Sequence, residues 1–148
     1  SGGSARLFER LSDSTASATD VAFPSGCRHL VAAPGDRFFA ADEEQVYEVA
    51  LATPATVRLV AAVSVRGMCF DVADGLLYVT HVDGGGMVEA LDPATGLLTL
   101  VSGGATSGHA DGAAAGATWS GAISGIAIDA SRRLYVADGG RLRRVTRF

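Results

Sequence analysis

Lysine and asparagine are both missing from this 148-residue chain, and all 12 basic residues are arginine. The first absence removes phosphate-loop lysines, Schiff-base chemistry and Ser-Lys catalysis. The second removes any N-glycosylation acceptor. Cysteine is scarce: Cys27 and Cys69 are too few for a disulfide framework, are not spaced as a metal pair, and read as buried free thiols of a reducing compartment. No apolar run approaches the roughly 18 residues that a membrane helix needs, and no signal segment opens the sequence. Ser1-Gly2-Gly3-Ser4 reads as a cloning scar outside the fold. These absences set the expectation of an intracellular, cytoplasmic protein without membrane contact. A net charge of −4 weighs against nucleic acid, which demands a net basic face. Neither G-x-S-x-G nor G-x-G-x-x-G occurs, so no nucleophile elbow or dinucleotide fingerprint is expected, and no cofactor.

What the chain does have is repetition. Three stretches align on an apolar run, a polar turn and a second apolar run: HLVAAPGDRFFAAD (29–42), MCFDVADGLLYVTH (68–81) and GIAIDASRRLYVAD (125–138). Phe39, Tyr78 and Tyr135 fall in matching places of the second run. A third run follows each pair: QVYEVAL (45–51), GMVEALD (86–92) and RLRRVTRF (141–148). The first two units then add a turn and a fourth run, VRLVAAV (57–63) and LLTLVS (97–102). Four short antiparallel strands in roughly forty residues is the pattern of a propeller blade. The expected fold is therefore all-β, with blade 1 over 27–63, blade 2 over 66–102, a crossover over 103–124 and blade 3 over 125–148.

Blade 3 stops after its third strand. A candidate for the missing fourth is ARLFERLS (5–12), followed by the polar stretch 13–26 much as LLTLVS is followed by 103–125. Each crossover runs through a lone aromatic, Phe23 or Trp119, into the next first strand. Burying that aromatic would pin a glycine- and alanine-rich path over the blade.

The segment HADGAAAGATWSGAISGIAIDASRRLYVADGGRLRRV (109–145) resembles an NHL repeat, and the likeness weakens over the first two units. The resemblance implies a β-propeller that serves as a binding platform, hence a non-enzymatic scaffold for protein–protein interaction or assembly. Two competing readings are a metal-dependent six-bladed hydrolase or lyase and an RNA-binding propeller. Propellers have about four to eight blades, so three leave two apolar flanks bare. Either two copies close a six-bladed ring as a homodimer, with 5–12 of one copy finishing blade 3 of the other, or the chain belongs to a longer propeller.

Asp42, His81 and Asp138 end the second strand of their units and are the weak candidates for a channel metal. The competing explanation is that such residues cap the turn that follows. Arg132, Arg133, Arg141, Arg143 and Arg144 make the last unit basic, whereas Asp42, Glu43, Glu44 and Glu48 make the first acidic. These arginines, with His109 and Trp119 of the crossover, are the candidate contacts to an unknown protein partner or to the opposite blade across a ring junction. His29, on a first strand, reads as a satisfied core or edge histidine.

Overall fold

The structure is a computed structural model that describes residues 4–10, 16–23, 26–51 and 55–146. Its strands are β1 (Ser4–Arg10), β2 (Ala16–Ala22), β3 (His29–Ala33), β4 (Arg37–Ala41), β5 (Val46–Ala50), β6 (Thr56–Ala61) and β7 (Gly67–Asp71). There follow β8 (Leu76–Asp83), β9 (Gly85–Leu91), β10 (Leu98–Gly103), β11 (Ile123–Ile128), β12 (Leu134–Asp138) and β13 (Arg141–Val145). They form antiparallel meanders, β3-β4-β5-β6 in blade 1 and β7-β8-β9-β10 in blade 2, then β11-β12-β13 in blade 3. A two-stranded sheet, β1-β2, precedes them.

The turn chemistry explains the meanders. Gly35 and Gly75 take φ of +78° and +75°, where a Cβ would be strained. Arg132 makes the matching turn of blade 3 at φ +62° without being glycine. Its guanidinium reaches across to blade 2, donating to Asp71 and Asp74 at 2.8 and 2.6 Å, so one turn is tied to its neighbour.

Blades stack face to face because each carries apolar residues on both sides. Phe39, Ala41 and Val46 of blade 1 pack on Met68, Leu77, Val79 and Leu91 of blade 2. The opposite face of blade 2, with Cys69, Tyr78 and Val88, packs on Ile123, Leu134, Val136 and Val145 of blade 3, and Trp119 fills the seam. The first strands are innermost, with β7 lying against both β3 and β11. Face-to-face sheets of this kind, fanned about a line of first strands, are an arc of a β-propeller.

One expectation is corrected. The stretch 13–26, read as a loose crossover, contains β2, which pairs with β1 from Ser4↔Ala22 to Arg10↔Ala16. The β-branched Thr19 and Val21 suit a strand, and Val21 and Phe23 are buried against Ala40, Tyr47 and Val49 of blade 1. The hairpin thus covers the free face of blade 1, and within the chain β1 belongs to this sheet. Residues 11–15, 24, 25, 147 and 148, which also figured in the sequence reading, lie outside the described residues.

The inner strands approach closely enough to dictate sequence. A Cβ on Gly67 would sit 2.7 Å from the Ser124 carbonyl oxygen and 2.9 Å from the Gly125 Cα, both backbone atoms that cannot swing aside. Gly125 itself has nothing within 4 Å of an added Cβ. Gly67→Ala is therefore expected to destabilise the fold by about 1–3 kcal/mol, and Gly125→Ala by no more than about 0.5 kcal/mol. Urea-unfolding midpoints of the two variants check this, and equal midpoints would contradict the close approach.

Candidate functional site at the mouth of the inner strands

Antiparallel order dictates which residues share a rim. Where first strands begin, second strands end, third strands begin and fourth strands end. The rim so defined carries Arg28 and His29 at the start of β3, Asp42 and Glu43 after β4, and Arg66 before β7. It also carries the end of β8, the crossover 104–122, and Asp138 at the end of β12. At its inner side, where β3, β7 and β11 start, lies a cleft of about 610 Å³ lined by Arg28, His29, Glu43, Ser64, Arg66 and Ser124, among others.

His29 is the titratable group of interest there. It lies on the same strand face as Val31 and Ala33, turned toward blade 2 and half-buried. Burial first, and the nearby Arg28 charge second, hold its pKa below the ordinary histidine value of 6.5. The imidazole is thus neutral at neutral pH and free to accept a proton. Arg28 is paired with Glu43 at the lip of the cleft, both side chains exposed. Arg66, also exposed, is held through its backbone N–H, which donates to the Thr80 carbonyl at 2.7 Å. Thr80, fully buried in β8, in turn donates its hydroxyl to the Ser124 carbonyl, locking the loops of blades 2 and 3 together.

The three residues singled out for a metal are each engaged by other groups of this chain. Asp42 accepts the backbone N–H groups of Glu44 and Gln45 at 2.9 and 2.8 Å and the Tyr47 hydroxyl at 3.2 Å, which caps the turn that presents Glu43. His81 Nε2 lies 2.6 Å from Glu89 Oε2, both atoms shielded from solvent and neither in ordinary hydrogen-bond geometry. Asp138, completely buried, accepts the Ser120 N–H at 2.8 Å and the Arg143 guanidinium at 2.9 Å, with the Ser120 hydroxyl and His109 Nδ1 alongside. Among the described residues no three His, Cys, Asp or Glu side chains converge on a metal position. The side chains present therefore do not form a ligand set, and no step is assigned to an ion.

The repeat is deeper than the sequence suggested. In each blade an equivalent residue in or just after the second strand meets a third-strand partner standing opposite the residue two earlier: Asp42 with Tyr47, His81 with Glu89 and Asp138 with Arg143. Over two of these pairs a crossover aromatic is laid. Phe23 contacts Tyr47 with ring centroids 5.6 Å apart, and the Arg143 guanidinium lies 4.3 Å from the Trp119 ring. Trp119 further donates its indole N–H to Ser102 at 3.1 Å.

The other basic candidates are largely committed to the fold. Arg132 is bound by Asp71 and Asp74, Arg133 by Asp129, and Arg143 by Asp138 and Asp111. Arg141 and Arg144 are exposed on β13. The residues that sequence reading passed over are Arg28, Arg66 and Ser124, which come from three different blades and share no local motif. His29 was noticed and judged structural, since its strand shows nothing of the cleft above it.

No family model matches the chain, and no curated protein matches it. Among solved structures it is similar to a gluconolactonase from Xanthomonas campestris, with a TM-score of 0.63 and 17% identity over 94% of this chain and 43% of that one. The chain thus spans less than half the length of the enzyme it matches, and the likeness establishes the β-propeller fold. It also overturns the expectation of a non-enzymatic scaffold. That expectation rested on propellers being binding platforms, and the similar propeller is an enzyme.

Asp138 yields a prediction about the wall of the cleft, which Gly121, Ala122, Ile123 and Ser124 build directly after Ser120. Burial alone would raise the Asp138 pKa, but hydrogen bonds from Ser120 and Arg143, with a smaller one from His109, outweigh it and hold the carboxyl below 3.8. A depressed carboxyl stabilises the fold above its unfolded pKa and loses that contribution as pH falls through the folded value. Asp138→Ala leaves Arg143 with Asp111 and two backbone carbonyls but strands the Ser120 N–H, and is expected to cost about 1–3 kcal/mol near neutral pH. The difference from wild type should shrink below pH 4, and urea titrations at pH 7 and pH 3 measure it.

Proposed function

We propose that this chain carries the catalytic mouth of a propeller hydrolase that opens small cyclic esters of the sugar-lactone class. The observation that carries the reading is His29, kept neutral at the mouth of the inner strands between Arg28 and Arg66. The enzyme to which the fold is similar supports the substrate class. Ring opening of a lactone needs three things: a base to take a proton from water, positive charge where the carbonyl oxygen becomes an oxyanion, and a proton for the departing ring oxygen. His29 takes the water proton as the carbonyl carbon is attacked. Arg28 and Arg66 stabilise the tetrahedral oxyanion and then the carboxylate of the hydroxy-acid product. The imidazolium returns its proton to the ring oxygen as the C–O bond breaks, so the base is regenerated. Ser64, Ser124 and Glu43 offer hydrogen bonds to substrate hydroxyls around the lip. The same reading keeps blade 3 as an NHL-like blade, supported by its GIAIDASRRLYVAD run.

Proton release from glucono-δ-lactone in a pH-stat tests the proposal. His29→Gln is expected to lower kcat by about 10²- to 10⁴-fold. The acid limb of kcat/KM should have its midpoint below pH 6.5, because the folded His29 pKa is depressed and the neutral form works. Arg28→Met, which removes the second cause of that depression, should move the limb upward. A His29→Gln enzyme of undiminished rate, or no lactone turnover by the wild type, would sink the assignment.

A further inference from the structure

The cleft at the mouth of the inner strands carries an unbalanced charge. Its charged lining is Arg28, Glu43 and Arg66, with His29 held neutral beside them. Arg28 and Glu43 neutralise each other at the lip. Arg66 enters no ion pair among the described residues. Asp42 and Asp138, the buried carboxylates of the same rim, are occupied, one by the turn it caps and the other by Ser120 and Arg143. In a chain of net charge −4, the resting cleft therefore holds one positive charge that no described side chain meets.

Arg66 is also fixed at its root. Val65 before it is buried in the seam between blades 1 and 2. The N–H of Arg66 donates to the Thr80 carbonyl, and Gly67 after it abuts the backbone of Ser124 and Gly125. Packing has already removed the backbone freedom, so a ligand that meets the guanidinium has only side-chain rotamers to order. The guanidinium presents its N–H donors as a planar fork, which matches a carboxylate. One unmet charge suits a monoanion, since a phosphate dianion would need Arg28 as well, and Glu43 holds Arg28. Ser64 and Ser124, both exposed in the lining, offer hydroxyls to the rest of a polar ligand, and about 610 Å³ is ample for a small one.

The reaction assigned to this cleft changes the charge of what it holds. Water added to a neutral lactone gives a hydroxy acid, which releases a proton and is an anion at neutral pH. A cleft with one unmet positive charge binds the anion more tightly than the neutral ring.

We propose that the cleft is a receptor for hydroxy-carboxylate anions anchored by Arg66, and that the product of ring opening consequently holds the site against the next substrate. The product restraint rests on the lactone reading, whereas the anion site does not.

Sodium gluconate titrated into the protein in a calorimeter, with no turnover, tests the anion site. The expected result is saturable binding to one site per chain, about ten-fold weaker in Arg66→Met and weakening as salt is raised. Sorbitol, which keeps the hydroxyls and lacks the charge, should show no saturable binding. Absence of saturation by gluconate, equal binding of sorbitol, an affinity unchanged in Arg66→Met, or tighter binding of inorganic phosphate would overturn the assignment. Arg66 is exposed, so an unchanged thermal midpoint is expected for the variant and separates lost affinity from lost folding. In the pH-stat, gluconate should inhibit lactone opening competitively, with a Ki about five-fold below the KM of the lactone. A Ki above that KM would overturn the product restraint. Gluconate binding without any lactone turnover would sink the lactonase reading and the restraint with it, while the anion site would stand.

Discussion

A sheet with apolar residues on both faces must be covered on both faces, and this requirement organises the whole molecule. Phe39, Ala41 and Val46 on one side of blade 1 are satisfied by blade 2, while Ala40, Tyr47 and Val49 on the other are satisfied by Val21 and Phe23. Because antiparallel sheets twist, stacking them face to face fans the blades about their first strands. That is why β3, β7 and β11 run side by side and why Gly67 must lack a side chain. The flank left over, on blade 3, shows the same rule from the opposite direction. Leu142 occupies the register place that Val46 fills in blade 1, yet it is 75% exposed where Val46 is fully buried.

The rim chemistry is a by-product of the same stacking. Polar groups at strand ends would be stranded as the blades close, and buried polar groups need partners. The chain supplies one pair per blade, Asp42 with Tyr47, His81 with Glu89 and Asp138 with Arg143. Asp42 fixes its turn, Asp138 the crossover and the Thr80 carbonyl the loop before Arg66, and the fixed loops present Glu43, Ser124 and Arg66 to one cleft. Residues that looked like ligands therefore act as braces, and the groups left facing solvent are those available for chemistry.

One polar cleft results at the mouth of the inner strands. The cleft around His29 combines a neutral imidazole with guanidinium groups, a pairing suited to handling an oxyanion. The crossover that carries Trp119 walls this cleft through Gly121 and Ala122, directly after Ser120, which Asp138 holds in place.

Much of the fold was legible in the order of residues. The strand–turn–strand spacing around Phe39, Tyr78 and Tyr135, and the crossover aromatics Phe23 and Trp119, are periodic signals that local sequence carries by itself, because turn geometry and side-chain alternation are local properties. The chain composition likewise removed lysine chemistry and a disulfide framework. What local sequence did not reveal is β2, whose small and polar residues become a strand only because blade 1 offers Val21 and Phe23 a face to cover. Nor did it reveal the cleft, because Arg28, Arg66 and Ser124 are far apart in the chain and meet only when three first strands begin on one rim. The environment of His29 belongs to the same class. Its identity is fixed by one letter of sequence, but its neutrality follows from burial beside Arg28, and burial is a property that only the packed blades confer.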